Sequence, residues 1–416
     1  MTRNVFYAQS GGVTSVINAT ASAVIIEARN SNKIKKVLAG KNGILGALNE
    51  DLIDTSKESV SFIKNLVFRP GGVFGSCRYK LKSFSNNYRE YERLFEVFEA
   101  HDIGYFLYNG GNDSADTALK IAQASEKIGY NLNCIAIPKT VDNDLAITDC
   151  CPGFGSVAKY VVNSTIEAAL DVESMAATST KVFILEVMGR HAGWIAASSV
   201  LAKQSHPGAP DIILLPEVTF NQSKFVNKVS DVVNKKGFCV VVASEGIKDS
   251  KGKFLAESTR KDAFGHSQLG GVAPNIANLV NNKLKLKNHW AVADYLQRSA
   301  RHISAGVDLA QAYEVGKKAI QYAEKNMHSV MPIIKRVSQN PYKWAVEPAP
   351  LNKIANVEKK LPRSFISKDG FGITKRGVDY FAPLIKGKIN ATDTTSPNFK
   401  KPKLVQVKKK LAAWKI

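Results

Sequence analysis

Residues 134–144 read Cys-Ile-Ala-Ile-Pro-Lys-Thr-Val-Asp-Asn-Asp and are the most informative stretch of the chain. The first four residues are apolar and β-prone, which predicts a short buried strand. The residues that follow, 138–144, form what we call the charged loop. It places Lys139, Asp142 and Asp144 at a strand end, where ligands bind in parallel α/β sheets. Asp142 is suited to take a proton from a hydroxyl, and Lys139 to neutralise a transferring phosphoryl group. The alternative is a solvated acidic turn.

Further short apolar runs alternate with helical stretches along the chain. The predicted strands are residues 5–8, 36–39, 105–108, 134–137, 182–187, 211–215 and 239–243. The predicted helices are residues 14–29, 88–100, 114–128, 192–202 and 221–235. This order predicts an α/β protein with two doubly wound parallel-sheet lobes in tandem. We place the lobes at residues 1–145 and 146–340, with some exchange of chain between them, followed by a peripheral basic extension at 341–416.

Two glycine-rich loops follow predicted strands of the first lobe. One contains Gly11 and Gly12, and the other contains Gly111, Asn112 and Asp113. Glycines let backbone amides approach an anion, and the start of the following helix attracts it. The amide and carboxylate of the second loop are able to hold a magnesium ion or its waters. The plainer interpretation is a simple turn in the first case and a helix cap in the second.

Polar residues also follow predicted strands of the second lobe. Arg190, after residues 182–187, suits recognition of a phosphate, and Glu245, after residues 239–243, is able to hold sugar hydroxyls. Arg78 ends a further glycine-rich loop, and Arg298 lies late in the chain. Both arginines are candidates for phosphate binding, and exposed surface charge is the alternative for each.

Composition restricts the classes of function. The chain has 416 residues and a formal net charge of +21, with nine lysines in residues 386–416. No apolar run is long enough to span a membrane, so no membrane partner is expected. Nucleic-acid binding is not supported, because the sequence contains no zinc-finger spacing or aromatic-basic RNA motif. Five cysteines without a CxxC pair argue against a zinc or disulfide framework and indicate a reducing cytoplasm.

Taken together and in this order, these segments resemble the phosphofructokinase family. The resemblance runs from about residue 5 to about residue 319 and is most specific at residues 138–144 and 188–193. It implies two α/β lobes of the phosphofructokinase type with the active site between them. It also implies phosphorylation of fructose 6-phosphate at its O1 hydroxyl, magnesium as the cofactor, and a homodimer or homotetramer.

The resemblance assigns roles by position. Asp142 is the expected general base, with Lys139 and Asp113 as further catalytic residues and Asn112 as the metal ligand. The residues expected to bind the phosphoryl donor are Gly11, Gly12, Gly111 and Arg78. The residues expected to bind the sugar phosphate are Thr140, Asp142, Asp144, Met188, Gly189, Arg190, Glu245, Tyr295 and Arg298.

Two positions predict the phosphoryl donor. ATP-dependent members of the family have glycine where this chain has Asp113 and Lys139, and the pyrophosphate-dependent branch has Asp and Lys there. A glycine leaves room for the α-phosphate and nucleoside, whereas a carboxylate fills that room and repels the anion. The sequence therefore predicts pyrophosphate as donor, in a reversible reaction that serves glycolysis and gluconeogenesis. Asn112 departs from the aspartate that is common in that branch, and it is a weaker magnesium ligand.

Two alternatives remain open at this point. One is an ATP-dependent phosphofructokinase, which Asp113 and Lys139 argue against. The other is a basic, non-catalytic binding protein on the same fold, which the presence of Asp142, Arg190 and Glu245 argues against. A larger ketose phosphate, such as sedoheptulose 7-phosphate, is a further candidate substrate, because the motifs recognise the phosphate and the hydroxyls near C1.

Overall fold

The computed structural model describes residues 2–261, 267–390, 394–396, 399 and 402–414. Its strands are β1 (Arg3–Gln9), β2 (Ile34–Gly40), β3 (Leu52–Asp54), β4 (Ile103–Gly110), β5 (Asn133–Pro138), β6 (Val182–Val187), β7 (Ile212–Leu214), β8 (Cys239–Ser244), β9 (Glu257–Lys261), β10 (Ser267–Leu269), β11 (Asn288–Val292), β12 (Val330–Ser338) and β13 (Lys343–Pro350). Its α-helices are α1 (Ile17–Arg29), α2 (Leu45–Leu48), α3 (Val60–Asn65), α4 (Tyr88–Ala100), α5 (Asn112–Ile128), α6 (Phe154–Met175), α7 (Trp194–Ser198), α8 (Gln222–Lys236), α9 (Val272–Leu284), α10 (Asp294–Ser299), α11 (Gly306–Glu324) and α12 (Lys375–Phe381).

The larger sheet has seven strands in the order β13-β12-β5-β4-β1-β2-β3. The pairs β2–β3 and β12–β13 are antiparallel, and the other pairs are parallel. Every residue of β4 is buried, as expected for a central strand with helices on both of its faces. The loops with Gly11, Gly111 and Lys139 leave β1, β4 and β5 at the same end of this sheet.

The smaller sheet has four parallel strands in the order β11-β6-β8-β7. Its strands β6 and β8 are adjacent, so the segments that follow them, at Met188 and Glu245, lie side by side. The pairing of Val187 with Ser244 sets this register. Parallel order places the two functional loops of the second lobe at one edge of its sheet.

The predicted α/β fold with two doubly wound lobes is confirmed. Each predicted strand is present with bounds that differ by a few residues, and so is each predicted helix, although α7 begins and ends inside its predicted range. The sequence interpretation did not identify α6, α9, α11 or the strand pair β12–β13. No helix in the described ranges is long and apolar enough to cross a bilayer.

The end of the chain is not peripheral in the way that the sequence predicted. The hairpin of β12 and β13 crosses the expected boundary at residue 340 and joins the larger sheet beside β5. Further along, Phe365 and Phe381 pack against Trp194 with ring centroids 6.1 and 6.2 Å apart. These contacts join segments far apart in the sequence, and local periodicity does not reveal such pairings.

Residues 402–414 form a strap, as we call this segment, along β3 at the free edge of the larger sheet. Asp54 N donates to Val405 O at 2.9 Å, and Val407 N donates to Leu52 O at 2.8 Å. The strap thus pairs with β3, whose edge would otherwise expose unpaired backbone groups. The lysine-rich tail that looked like a solvated surface feature is therefore partly built into the first lobe.

A buried carboxylate anchors the same strap. Glu50, which is 1% exposed, accepts hydrogen bonds from Lys410 N at 2.6 Å and Leu411 N at 3.1 Å. It also contacts His101 Nε2 at 2.6 Å. Burial opposes its charge, but these donors together lower the pKa of Glu50 below its usual value.

Candidate active site

The strand ends of the two sheets enclose a cleft of about 510 Å³. Its walls are formed by Gly11, Gly12, Arg78, Gly111, Asn112, Asp113, Ser114, Lys139, Thr140, Val141, Asp142, Asp144, Met188, Arg190, Glu245, Leu269, Asp294, Tyr295 and Arg298. The predicted donor-side and sugar-side residues therefore face one common space, with basic and acidic groups on both sides of it.

The glycine loop after β1 has a conformation that lets other groups approach its backbone closely. Gly11 has a φ of +74°, and its amide donates to Cys77 O at 2.9 Å. Ser76 Oγ donates to Gly11 O at 2.7 Å and holds the loop in place. A Cβ on Gly12 would lie 2.4 Å from Arg298 Nη1, so a larger residue there would displace that guanidinium from its present position.

Lys139 extends from the end of β5 across to this glycine loop. It is 4% exposed, and its Nζ donates to Gly12 O at 2.7 Å. Burial lowers the pKa of Lys139 to about 7, and the charges of Arg298 and Arg78 act in the same direction. The Lys139 amine thus lies between the glycine loops of the first lobe and the loops of the second lobe. A bound anion there would favour its protonated, positively charged form.

Asp142 lies two residues beyond Thr140, whose Oγ1 accepts a hydrogen bond from Asp142 N at 3.1 Å. Burial raises the pKa of Asp142 to about 7, and Asp144 and Glu245 act in the same direction. Lys139 opposes these effects. A carboxylate whose pKa lies near neutrality is matched to accepting a proton from a hydroxyl at the operating pH.

Asp144 and Asn112 both line the cleft, and their side chains contact each other. Burial raises the pKa of Asp144, and a hydrogen bond from the Asn112 side chain opposes this rise. One oxygen of each side chain, Asp144 Oδ1 and Asn112 Oδ1, is buried with no hydrogen-bond donor in the described part of the chain. Two such oxygens fit a hard cation, because Mg²⁺ prefers carboxylate and amide oxygens together with water and substrate phosphates. Within the described residues, no cluster of three or more His, Cys, Asp or Glu side chains forms a complete metal cage.

Asp113 lies in the first turn of α5, on the donor side of the cleft. Its side chain is 33% exposed and pairs with Lys80 Nζ at 3.6 Å. Thr117 Oγ1 donates to Asp113 O at 2.9 Å, as an ordinary interaction within the helix. The Lys80 contact was not anticipated from the sequence, since it joins a loop to the first turn of a helix more than 30 residues away.

The sugar side begins where β6 ends. Gly189 has a φ of +136°, and a Cβ there would approach Ala192 O and Ser244 Oγ to 2.8 Å. Its amide donates to Glu245 Oε1 at 3.3 Å. Burial raises the pKa of Glu245, and the Gly189 amide and the Arg190 charge oppose this rise. The loop thus joins an arginine and a carboxylate beside the cleft.

Helix α10 completes this side. The Arg298 guanidinium lies 3.8 Å from the centroid of the Tyr295 ring, and Tyr295 itself is 60% exposed. The buried Gln297 accepts from Met188 N at 3.3 Å and donates to Asp294 O at 3.0 Å. The helix is therefore tied to the end of β6 through one buried amide.

The sequence predictions and the lining of the cleft overlap closely. Gly189 does not line the cleft itself but lies between Met188 and Arg190, which do. Sequence reasoning missed Ser114, Val141, Leu269 and Asp294, which also line it. Ser114 and Val141 adjoin predicted residues and could have been inferred from them. Leu269 has no signal in the sequence. Asp294 precedes Tyr295 directly and was also within reach.

Comparison with known proteins identifies the family to which the sequence of this chain is similar. Residues 4–322 match the sequence model of the family described as Phosphofructokinase. The pyrophosphate–fructose 6-phosphate 1-phosphotransferase of Xanthomonas campestris pv. campestris (strain B100) is 60% identical over 414 residues, which cover 99% of each chain. The protein of the same name from Methylococcus capsulatus (strain ATCC 33009 / NCIMB 11132 / Bath) is 58% identical over 386 residues, covering 92% of each chain.

A solved structure has the same fold. The crystal structure of the pyrophosphate-dependent phosphofructokinase from Nitrosospira multiformis superposes with a TM-score of 0.91 at 55% sequence identity. The match covers 99% of this chain and 100% of that one, so it includes the strand pair β12–β13 and the segments that follow.

Proposed function

Because this chain belongs to the phosphofructokinase family, we propose that its cleft transfers a phosphoryl group from inorganic pyrophosphate to the O1 hydroxyl of fructose 6-phosphate. The products are fructose 1,6-bisphosphate and orthophosphate. The reaction is reversible and serves glycolysis and gluconeogenesis. Relatives at 58% and 60% identity carry the corresponding name over nearly the whole chain.

One observation carries the choice of donor: Asp113 and Lys139 both line the cleft, on the side of the glycine loops. Asp113 occupies space that the α-phosphate of a nucleotide would need. Two like charges about 4 Å apart repel by about 1 kcal/mol in water and about 4 kcal/mol at an effective dielectric of 20. The Asp113 side chain is one-third exposed, so its repulsion lies between these limits. This favours pyrophosphate over ATP by charge alone, before steric exclusion is counted.

The donor-side residues act mainly through position and charge. The open space beside Gly11 and the amides of Gly12 and Gly111 receive the terminal phosphates. Lys139 lies at the Gly12 carbonyl, and Arg78 lines the same wall, so both are placed to balance charge on the equatorial oxygens. Positioning and neutralisation are the main contributions a protein makes to a loose phosphoryl-transfer transition state.

Magnesium is part of the proposal. Asn112 and Asp144 would hold it through the two buried oxygens described above. When bound, the ion supplies charge that offsets the pyrophosphate oxygens. Asp113 adds a further carboxylate near the same wall of the cleft.

On the sugar side, Asp142 accepts the proton of the O1 hydroxyl, and its near-neutral pKa supports this role. Arg190 and Arg298 bind the 6-phosphate, with Tyr295 stacked beneath the second guanidinium. Glu245 accepts hydrogen bonds from ring hydroxyls. The remaining contacts to the sugar phosphate come from Thr140, Asp144, Met188 and Gly189.

Assembly and location complete the proposal. We assign the enzyme to the cytoplasm as a homodimer or homotetramer, and its five cysteines, all free, suit a reducing compartment. Trp290 on the edge strand β11 is 48% exposed, and Leu296 on α10 is 65% exposed. Val292, on the same face of β11 as Trp290, is 38% exposed, and neighbouring exposed apolar side chains of this kind favour contact with a further subunit. Light scattering on the purified protein measures the number of subunits directly.

A donor comparison tests the function. Purified enzyme is assayed with fructose 6-phosphate and magnesium, with either pyrophosphate or ATP as the donor, and the fructose 1,6-bisphosphate formed is measured. The repulsion of about 1 to 4 kcal/mol estimated for Asp113 corresponds to turnover with pyrophosphate about 5- to 900-fold above that with ATP, and steric exclusion of the nucleotide adds to this preference. Efficient turnover with ATP and none with pyrophosphate would refute the donor assignment.

A further inference from the structure

A buried hydrogen-bond relay connects α12 to the charged loop. Asn143 lies between Asp142 and Asp144 and is 0% exposed. Its Nδ2 donates to the Tyr380 hydroxyl at 3.0 Å, and its Oδ1 accepts from Cys151 N at 3.0 Å. Because both polar ends of the amide are used, the orientation of the Asn143 side chain is fixed.

The backbone of Asn143 gives this orientation its importance. Its φ is +55°, in the left-handed region that residues with a side chain seldom adopt and that asparagine tolerates best. The φ of Asn143 sets the angle between the segments that carry Asp142 and Asp144. The contacts of its amide therefore hold the two carboxylates in their relative positions.

Tyr380 is itself held on several sides. The Arg336 guanidinium lies 4.5 Å from the centroid of its ring, and the Trp194 ring centroid lies 5.4 Å away. Arg336 Nη2 donates to Tyr380 O at 3.1 Å, and the Tyr380 hydroxyl donates to Asp149 O. These contacts fix the position of the Tyr380 hydroxyl, which in turn fixes the side chain of Asn143 in the charged loop.

A second contact joins the charged loop to the same part of the chain. Lys359 N donates to Asp144 O at 2.7 Å. Leu145 and Glu358 form an isolated antiparallel bridge beside it. Two separate attachments from beyond residue 340 thus support the loop, although only the Tyr380 contact depends on a side chain that substitution can remove.

We propose that Tyr380 is a positioning residue for phosphoryl transfer: acting through Asn143, it holds Asp142 at the angle needed to accept the proton. The inference rests on the role proposed above for Asp142. Tyr380 does not line the cleft and touches no reacting group. Its removal therefore impairs the chemical step more than the binding of the sugar phosphate, because Arg190 and Glu245, which follow β6 and β8, and Arg298 on α10 lie outside the charged loop.

The test compares two hydroxyl deletions in the complete enzyme. Tyr380→Phe keeps the ring and its packing but removes the bonds of the hydroxyl to Asn143 and to Asp149 O, and the cycle described below separates the part that depends on Asn143. Tyr342→Phe is the matched control, because its ring lies 4.7 Å from the same Arg336 guanidinium and its hydroxyl bonds only Gln311 among the described residues, at 3.0 Å. We expect kcat to fall about 10- to 100-fold in the first variant and less than about twofold in the second. KM for fructose 6-phosphate stays within about threefold of wild type in both.

A double-mutant cycle with Asn143→Gly tests whether Tyr380 acts through Asn143. Glycine permits the positive φ while removing the amide, so Tyr380→Phe should cost little more in that background. Thermal unfolding of each variant checks that the fold is kept. Wild-type kcat in Tyr380→Phe would overturn the proposal, and so would a full, additive loss in the Asn143→Gly background. Neither result would bear on Asp142 as the base, which its own substitution tests.

Discussion

The Nζ atom of Lys139 donates a hydrogen bond to the carbonyl oxygen of Gly12 at 2.7 Å and so joins the ends of β5 and β1. The strands β5 and β1 are separated by β4 in the sheet, so this contact spans the donor side of the cleft. The amine lies near the guanidinium groups of Arg298 and Arg78, which help to lower its pKa. An anionic donor entering here meets Lys139 and Arg78, and Arg298, assigned above to the sugar 6-phosphate, contributes its charge to the same region.

Replacement of Asp142 by asparagine tests the general base. Asparagine keeps the shape of the side chain but does not accept the proton, so we expect kcat to fall about 10²- to 10⁴-fold. KM for fructose 6-phosphate should change little, because Arg190 and Arg298 remain. Steady-state kinetics with saturating pyrophosphate measures both quantities. A kcat near that of the native enzyme would exclude Asp142 as the base.

The pair Asp113→Gly and Lys139→Gly tests donor choice. We expect the double variant to lose at least about 10²-fold in kcat/KM for pyrophosphate, because a preorganised cation is removed. ATP turnover should rise above the native background, because the repelling carboxylate is gone. The pair Lys335→Gln and Glu347→Gln, at an exposed salt bridge of 3.1 Å, controls for loss of one positive and one negative charge. Unchanged donor preference in the double variant would contradict the assignment.

The dependence of activity on pH follows from two shifted groups. Asp142, with its pKa raised from 3.8 to about 7, must be deprotonated, so activity falls as the pH drops below about 7. Lys139, with its pKa lowered from 10.5 to about 7, must be protonated, so activity falls as the pH rises above about 7. We therefore expect a narrow bell-shaped profile of kcat/KM.

Lys139→Arg provides the check on the alkaline side. A guanidinium stays charged across this range, so the alkaline fall should disappear while the acidic fall remains. Comparing native enzyme and variant at each pH cancels the ionisation of the substrates. An alkaline fall that persists unchanged would show that another group causes it.

Asn112→Ala tests the magnesium site. Loss of one of the two oxygen ligands should raise the magnesium concentration for half-maximal rate about 10- to 100-fold. KM for fructose 6-phosphate should stay the same, because Asn112 lies on the donor side. Titration of activity with MgCl₂ at fixed pyrophosphate measures the effect. Asn112→Asp should shift the titration the opposite way, and equal titrations for all three proteins would remove Asn112 from the site.

Removal of residues 404–416 tests the strap. Glu50 would lose the backbone donors of Lys410 and Leu411, and each lost hydrogen bond to this buried carboxylate costs about 1–3 kcal/mol. We expect a lower free energy of unfolding with kcat nearly unchanged at temperatures where the enzyme stays folded. Urea unfolding followed by circular dichroism measures the change, and a chain ending at Trp414 serves as the control. Equal stability of the two chains would contradict the role of the strap.

Sequence reasoning succeeded for the parts of the site that follow directly from a strand. Gly11, Gly111, Lys139, Arg190 and Glu245 each follow a predicted strand closely, and parallel strands bring such positions to one edge. Their residue types and order also carried the resemblance to the family. The fold class and the strand-end residues of the cleft were therefore predictable from local sequence patterns, whereas Thr140, Met188 and Tyr295 were named only through the resemblance to the family.

Other contacts had no local signal. The salt bridge of Lys80 with Asp113 and the bond of Tyr380 with Asn143 join segments that only long-range folding brings together. The same holds for the strap on β3, where a lysine-rich tail reads as exposed surface. Composition describes the average environment of a segment and does not identify its partner.

Local sequence was sufficient to predict the two-lobed α/β fold and the chemical groups that follow its strands, because strand periodicity and loop residues are local properties. The pKa values of those groups and the contacts that fix their positions arise only in the folded chain. Burial brings the pKa values of Lys139 and Asp142 together near 7, and chain beyond residue 340 holds Asn143 in place. Both effects depend on desolvation and on contacts between segments distant in sequence, and neither exists until the chain has folded.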